Sequence, residues 1–252
     1  MSKGAILITG AAKRIGRQLA LDLAAAGHDI VIHFNESSRE AEEVAASIRA
    51  MGRRAALVQG DLADADIAER LISSATKQIG PLTGLINNAS IFEMDQMGEV
   101  SLSSWQRHMD INLRAPVMLA QSFAKALPED THGNIINIVD QRVWRLNPRF
   151  FSYTLSKSGL WTATRTLAQA LAPRIRVNAI GPGPALPSAR ISDAEFAKQE
   201  SLTLLGRGTS PAEISEAAKF ILSQPALTGQ MIALDGGQHL LWQTKDVIEV
   251  KE

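Results

Sequence analysis

The chain has 252 residues, of which 45% are apolar and 21% charged, values typical of a globular protein with one or two domains. Lysine plus arginine equals aspartate plus glutamate at 26 each, and this balance argues against nucleic acid or a membrane surface as a partner. The absence of cysteine excludes disulfide and thiol chemistry. The five histidines lack ligand spacing, so no metal site is predicted. With neither signal-peptide features nor an apolar run that could span a bilayer, we expect a cytoplasmic protein.

Short apolar runs alternate with helical patterns along the whole chain. In chain order the prediction is strand 5–9, helix 14–26, strand 29–34, helix 37–52, strand 55–60, helix 64–80, strand 82–87, helix 103–127, strand 134–139, helix 151–171, strand 175–183, an irregular segment with a helical centre at 184–208, helix 211–223 and strand 231–237. This alternation predicts a parallel sheet with helices on both faces. We therefore predict one α/β domain over residues 1–252, Rossmann-type and doubly wound, with about seven strands and a substrate loop at about 184–208.

The stretch TGAAKRIG (9–16) follows the first strand and opens the first helix. Backbone N–H groups of a Gly-rich turn can approach a pyrophosphate, which the helix N-terminus then stabilises. Arg14 stands where a dinucleotide-binding turn usually has its middle glycine, and its guanidinium can pair with phosphate. The cofactor residues predicted in this turn are Gly10, Lys13, Arg14, Ile15 and Gly16.

The end of the second strand bears on the choice between NAD and NADP. NAD enzymes commonly place an acidic residue there, but the nearest acid, Glu36, comes one or two positions late. Lys13, Arg14 and the Ser37 hydroxyl could instead hold a 2′-phosphate, so NADP(H) is predicted. The alternative for Lys13 is a solvated surface charge.

Polar residues also follow the third and fourth strands. Asp61 could accept a hydrogen bond from the adenine amino group, with the Leu62 backbone completing the contact, or it could cap the next helix. Asn88, Ala89 and Ser90 suit a backbone that lies against a cofactor, although an ordinary turn would have the same composition.

Tyr153, the only tyrosine, is followed four residues later by Lys157, so the two share one face of the predicted helix. Hydride transfer from a nicotinamide needs a matching proton, and a nearby lysine is expected to lower the high pKa of a tyrosine. Asp140 lies thirteen residues earlier, after an apolar run. These residues are the candidate proton-transfer group.

The chain resembles the short-chain dehydrogenase/reductase family over nearly its whole length. The resemblance rests on TGAAKRIG, NNAS at 87–90, Asn112, YTLSK at 153–157, Pro182-Gly183 and LDGG at 234–237. Within that family the chain is most similar to the pteridine reductases, which share Arg14 in place of a glycine, Phe92 after NNAS, and Asp140 where most members have a catalytic serine.

The resemblance implies roles for several residues. Lys157 would hold the nicotinamide ribose, Asn112 would support a water chain that feeds protons to Lys157, and Pro182-Gly183 would contact the cofactor. It also implies a homotetramer, joined partly through helices 103–127 and 151–171, in which Trp242 could reach a neighbouring active site.

The carboxylate of Asp140 favours a pterin over a ketone. An ionised carboxylate would repel the oxyanion of a reduced carbonyl, whereas it can accept hydrogen bonds from a pterin or work with Tyr153 in proton delivery. Phe92 would stack on the flat ring, and Arg14 and Ser90 complete the predicted substrate contacts. The alternatives are a core position for Phe92 and a turn or cap role for Asp140.

Three functions remain open from the sequence. The first is an NADPH-dependent reductase of a dihydropterin or dihydromonapterin-like substrate; the second reduces or oxidises another carbonyl or imine compound; the third is a non-catalytic NADP-binding regulator. The loop 141–150, with Trp144, Arg145 and Arg149, is bulkier and more basic than a simple pterin pocket demands.

Overall fold

A seven-stranded, all-parallel sheet forms the centre of the molecule in the computed structural model, which describes residues 3–187 and 191–244. Its strands are β1 (Ala5–Ile8), β2 (Asp29–Phe34), β3 (Ala55–Gln59), β4 (Leu82–Asn87), β5 (Gly133–Ile138), β6 (Ile175–Pro182) and β7 (Met231–Leu234). The strand order is β3-β2-β1-β4-β5-β6-β7. This confirms the predicted doubly wound α/β fold.

Helices follow the strands as the alternation predicts. They are α1 (Arg14–Ala25), α2 (Ser38–Ala50), α3 (Ile67–Ile79), α4 (Leu102–Met109), α5 (Ala115–Ala126), α6 (Phe151–Leu171), α7 (Asp193–Ser201) and α8 (Pro211–Ser223). No helix in the described ranges is long and apolar enough to cross a membrane.

Two helices differ from their predicted bounds for identifiable reasons. The third helix begins at Ile67 rather than at 64, because Asp61 and Asp64 side chains accept hydrogen bonds from backbone N–H groups two residues on, a local bond that competes with helix formation. The predicted helix 103–127 is divided into α4 and α5 by a π-helical turn over Asp110–Arg114.

Alternate strand residues supply the two faces of the core. Ile6 and Ile8 of β1 pack in a cluster with residues of α1, α2 and α8, whereas Ala5 and Leu7 pack in a cluster with residues of α3, α5 and α6. Both sets are fully buried, as expected for parallel strands covered by helices on both faces.

The strand order reverses between β1 and β4, where a crevice opens beyond the carboxyl ends of the strands. Thr9 ties the two strand ends together: its hydroxyl oxygen accepts from the N–H groups of Asn88 (2.9 Å) and Ala89 (3.0 Å). In return, the Asn88 side-chain amide donates to the Thr9 carbonyl at 2.8 Å. The two loops that border the crevice are therefore held to each other by side-chain hydrogen bonds.

A buried chain of hydrogen bonds anchors α6 to the sheet. Asn87 of β4 donates to the Asn137 side chain of β5 at 2.8 Å, and Asn137 donates to the Thr164 hydroxyl of α6 at 2.9 Å. All three residues are buried, and an unpaired polar group at such a position is costly.

We expect Thr164→Val to lower the free energy of unfolding by roughly 1–3 kcal/mol, because it leaves the Asn137 amide without an acceptor in the core. Thr166→Val is the matched control, since the Thr166 hydroxyl is exposed and bonds only to carbonyls of its own helix. Chemical denaturation of both variants measures the difference. Equal losses in the two variants would contradict an anchoring role for the chain of hydrogen bonds.

Candidate active site

Two cavities meet at the carboxyl edge of the sheet. The inner cavity, of about 440 Å³, is lined by most of the predicted cofactor residues: Gly10, Lys13, Arg14, Ile15, Gly16, Asn88, Ala89, Ser90, Tyr153, Lys157, Pro182 and Gly183. The outer cavity, of about 800 Å³, is lined mainly by the loop 141–150 and the segment after β6. Arg14, Phe92 and Asp140 line both cavities, so these residues stand at the junction.

The turn after β1 has the backbone geometry of a dinucleotide-binding turn. Gly10 has a φ of +62° and Arg14 a φ of +54°, the left-handed region that glycine adopts without strain. At Gly16, a Cβ atom would lie only 2.2 Å from the Gly10 carbonyl oxygen. Glycine at 16 is therefore needed for α1 to pack against the turn.

Arg14 connects this turn to the loop that follows β6. Its guanidinium donates to the carbonyl of Pro187 at 3.0 Å and to that of Leu186 at 3.5 Å. The sequence predicted that this guanidinium would pair with phosphate; in the described structure, backbone carbonyls are its hydrogen-bond acceptors. Its position between the two cavities is consistent with the predicted contact to substrate.

His33, at the end of β2, supports the same turn and was not identified from the sequence. Its Nδ1 atom accepts from the Gly10 N–H at 3.2 Å, and its Nε2 atom lies 3.0 Å from the Gly60 carbonyl oxygen. Accepting at one nitrogen and donating at the other requires a neutral ring. Burial lowers the pKa of His33 to about 4, so the ring is neutral at pH 7.

Of the residues predicted to select NADP, Lys13 and Arg14 line the inner cavity, whereas Ser37 does not, and neither do the predicted adenine contacts Asp61 and Leu62. The Lys13 ammonium pairs with Glu40 at 3.1 Å and is half exposed. Ser37 precedes α2 without a capping hydrogen bond from its side chain. Asp61 closes a turn through the Ala63 N–H, and Leu62 is buried in the core. The contacts of Ser37, Asp61 and Leu62 with the cofactor stay predictions.

Asn112 lies in the π-helical turn, fully buried. Its amide forms two hydrogen bonds with the backbone of Ile91, accepting from the N–H at 2.9 Å and donating to the carbonyl at 3.0 Å. It also donates to the Ser156 hydroxyl at 3.1 Å and accepts from the Ser90 hydroxyl at 3.1 Å. Asn112 therefore holds the segment after β4 against α6, while its predicted support of a water chain stays untested.

Tyr153, Asp140 and Lys157 come together as the sequence predicts. The Tyr153 hydroxyl donates to Asp140 Oδ2 at 2.8 Å, and the Lys157 Nζ atom donates to the Ile138 carbonyl at 2.7 Å and lies 5.8 Å from the Tyr153 ring centre. Asp140 Oδ1 accepts from the Arg142 N–H at 2.7 Å. Asp140 thus caps the short turn at 141–143 and contacts Tyr153 at the same time.

The electrostatics of this group correct one expectation from the sequence. Burial and the negative charge of Asp140 raise the pKa of Tyr153 well above its ordinary value, whereas Lys157 was expected to lower that pKa. Burial also raises the pKa of Asp140, against the lowering effect of the Arg142 N–H, and lowers the pKa of Lys157 to about 8. Tyr153 is therefore a protonated donor at neutral pH, and the buried environment of Asp140 makes proton uptake by its carboxylate easier than in an exposed aspartate.

Aromatic residues close the junction of the two cavities. Phe92 stacks on Phe150 with ring centres 4.1 Å apart and meets Tyr153 edge-on at 4.7 Å. The Arg142 guanidinium lies 5.3 Å from the Phe150 ring centre and 6.0 Å from that of Phe92. One face of Phe92, predicted to stack on substrate, is thus covered by Phe150. Phe150 and Arg142 were missed, because their positions depend on how the loop 141–150 folds.

Asp95 fixes the start of α6, the helix that carries Tyr153. The preceding residue, Phe150, is left-handed and offers no side-chain cap. Asp95 supplies the cap instead: its carbonyl accepts from the Phe151 N–H at 3.1 Å and its Oδ1 atom from the Ser152 N–H at 3.0 Å. Burial acts to raise the pKa of Asp95, but hydrogen bonds from Ser152 and Ser104 bring it below its ordinary value.

Other predicted features lie at the margin of the site. Trp242 is exposed, and its approach to a neighbouring subunit stays a prediction, as does the homotetramer. Of the expected substrate loop 184–208, residues 188–190 lie outside the described residues, and α7 is its helical centre. In the described ranges, no group of three or more histidine, aspartate and glutamate side chains is arranged to hold a metal ion.

Because His33 is neutral in the fold, we expect stability to decrease in acid. An unfolded histidine takes up a proton near pH 6.5, whereas folded His33 does so only near pH 4. The free energy of unfolding should therefore fall by up to roughly 3 kcal/mol between pH 6.5 and pH 4 on account of this residue. Urea denaturation at pH 7 and pH 4.5 should show a smaller drop for His33→Gln. The control is His132→Gln at an exposed histidine, and the same pH dependence in both variants would contradict the prediction.

Asp95→Ala should lower the free energy of unfolding by roughly 0.5–2 kcal/mol, the usual cost of losing a helix cap. Asp95→Asn retains an acceptor for the Ser152 N–H and should lose less. NADP affinity should be unchanged in both variants, because Asp95 does not line the inner cavity. Thermal denaturation and calorimetric titration measure the two effects, and equal stability of the two variants would refute the capping role.

Solved structures similar to this one include reductases crystallised with NADP(H). The FolM alternative dihydrofolate reductase 1 of Brucella canis, in complex with NADP, is 48% identical, with a TM-score of 0.93 and 98% of both chains covered. A blue fluorescent protein from a metagenomic library, in complex with NADPH, is 32% identical, with a TM-score of 0.87 over 94% of this chain and 98% of its own.

A curated relative, the 3-oxoacyl-[acyl-carrier-protein] reductase of Synechocystis sp., is 34% identical over 236 residues, which cover 92% of this chain and 95% of the relative. The family model for short chain dehydrogenase matches residues 4–197. The chain therefore belongs to the short-chain dehydrogenase/reductase family, and it is an NADP-dependent oxidoreductase of that family.

Proposed function

We propose that this protein is an NADPH-dependent reductase that adds hydride to a C=N bond of a pterin, such as a dihydropterin or a dihydromonapterin-like compound. The observation that carries the proposal is the 2.8 Å hydrogen bond from Tyr153 to Asp140. A carboxylate beside the proton donor opposes an oxyanion but suits a heterocycle whose ring nitrogen gains a proton.

The inner cavity supports the choice of cofactor. Its lining combines the N-terminus of α1, the cations Lys13 and Arg14, and the pair Tyr153 and Lys157, and helix N-termini and cations favour phosphate groups. Lys13, Gly10 and Gly16 would hold the phosphates, and Lys157 would hold the nicotinamide ribose. Bound NADPH supplies the hydride.

The chain's own residues supply the proton. Reduction of a C=N bond places hydride on carbon and a proton on nitrogen. Tyr153, whose pKa is raised, keeps its O–H proton at neutral pH and can give it to the nitrogen. The Asp140 carboxylate, whose pKa is also raised, can then take up a proton from solvent and pass it to the phenolate, which restores the hydroxyl. General acid catalysis of this kind contributes about 10²–10⁴-fold. Arg14 and Ser90 line the cavity beside these groups, where they would contact the substrate.

The similar proteins support a pterin as the substrate, but they also leave a second candidate function. The Brucella canis relative, named an alternative dihydrofolate reductase, is 48% identical, whereas the Synechocystis relative, a 3-oxoacyl reductase, is 34% identical. Reduction of a carbonyl, as in the latter, is therefore the second candidate function. Asp140 argues against it, for the electrostatic reason given above.

NADPH oxidation in the presence of separate substrates tests the proposal. The panel contains 7,8-dihydropterins, 7,8-dihydrofolate and a 3-oxoacyl thioester, and turnover should be confined to the pterin compounds. Turnover of the thioester alone would establish the second candidate. NADP binding without turnover of any compound would favour the non-catalytic regulator.

Variants of Asp140 and Tyr153 test the mechanism. Tyr153→Phe should lower kcat/KM by roughly 10²–10⁴, because it removes the proton donor. Asp140→Ser should lose pterin turnover and gain weak activity on a ketone, while NADPH affinity changes little. Asp140→Asn is the matched control: the amide oxygen still accepts from the Arg142 N–H but the side chain cannot carry a proton.

For each variant, the ratio of its kcat/KM to that of the unmodified enzyme gives the loss of transition-state stabilisation. Full pterin turnover in both Asp140 variants would show that Asp140 serves only as the cap of the turn at 141–143, and would remove the main physical support for a pterin substrate. Loss in both variants, with unchanged thermal stability of Asp140→Asn, would support proton transfer.

A further inference from the structure

The outer cavity is strongly basic in a protein without net charge. Four arginines line it, and Asp140 is the one carboxylate among its described lining residues, although acidic and basic residues are equal over the whole chain. The arginines are Arg14, Arg142, Arg145 and Arg149. The reaction at Tyr153 and Asp140 does not require this excess of positive charge.

The four arginines are not equivalent. Arg14 donates to the backbone carbonyls after β6, and Arg142 donates to the Asn147 side chain at 2.9 Å and lies over two phenylalanine rings. Arg145 and Arg149 are exposed, and no carboxylate of the described residues forms a salt bridge with either of them. Their guanidinium groups are the ones left for a ligand.

The loop that carries these arginines has a defined internal structure. Asp140 caps its first turn through the Arg142 N–H, and the Asn147 side chain accepts from both the Arg142 guanidinium and the Arg149 N–H, at 2.9 and 3.1 Å. The Phe150 ring, stacked on Phe92, closes its other end. Because the loop is held at both ends and in the middle, the arginines are held on the wall of the cavity.

We propose that the outer cavity binds an anionic substituent of the substrate, a carboxylate or a phosphate, through Arg145 and Arg149. The inference rests on the proposed function, because it takes the reacting ring to lie at Asp140, where the two cavities meet. Guanidinium groups pair with either anion by charge-assisted hydrogen bonds. The apolar neighbours Met94, Leu146 and Phe196 would contact the uncharged part of the substituent.

The double variant Arg145→Gln/Arg149→Gln tests the inference on three substrates: 7,8-dihydrofolate with its glutamate carboxylates, a dihydropterin phosphate ester, and a dihydropterin with an uncharged side chain. KM for at least one anionic substrate should rise by roughly tenfold or more, since hydrogen bonds to charged groups are worth about that factor. KM for the uncharged dihydropterin and kcat for all three should stay within about twofold. The anion whose KM rises identifies the carboxylate or the phosphate as the natural group.

Arg53→Gln is the matched control, because Arg53 is an arginine at the opposite, amino-terminal edge of the sheet, where it donates to the Gly52 carbonyl. KM of the unmodified enzyme for the preferred anionic substrate should also rise with salt between 20 and 300 mM, roughly, because salt screens exposed charges. Equal KM changes for charged and uncharged dihydropterins, or none, would overturn the inference and leave the proposed function intact. Failure to turn over any dihydropterin would instead refute the proposed function.

Discussion

The Tyr153 hydroxyl donates a hydrogen bond of 2.8 Å to the half-buried carboxylate of Asp140. Burial raises the pKa of both partners, so it favours the protonated form of each side chain. A serine hydroxyl in place of Asp140 could donate a hydrogen bond to a carbonyl oxygen. A carboxylate can only accept hydrogen bonds, so it favours a substrate with N–H groups on a heterocyclic ring. The choice between the two candidate reactions therefore depends on this single contact.

The parallel sheet makes that contact possible. All seven strands end at one edge, which brings residues 9–16, 88–92, 140 and 182–186 together although they are far apart in the chain. Thr9 and Asn88 tie the first two of these loops to each other, and His33 supports the first from below. Each tie is made by a buried polar group with a specific partner, so the loops are held by hydrogen bonds as well as by apolar packing.

The loop 141–150 adds a basic cavity to the site. Its arginines surround a cavity larger than the inner one, and Asp140 belongs to both. Asp140 thus caps the start of the turn at 141–143 and also contacts the proton donor Tyr153. A change in that loop would therefore affect the outer cavity and the position of Asp140 together, whereas Gly10 and Gly16 of the turn after β1 line the inner cavity only.

The sequence by itself determined the alternation of strands and helices, the turn at 9–16 and the Tyr153–Lys157 pair, because these depend on local periodicity and spacing. It did not reveal His33, Asp95, Phe150 or Arg142, whose partners lie 8 to 58 residues away along the chain, roughly, or depend on an irregular loop. The sequence also did not predict the raised pKa of Tyr153. Spacing places Lys157 near Tyr153, but only the tertiary structure buries the Tyr153 side chain and places the Asp140 carboxylate on its hydroxyl. These two effects raise the pKa that the lysine was expected to lower.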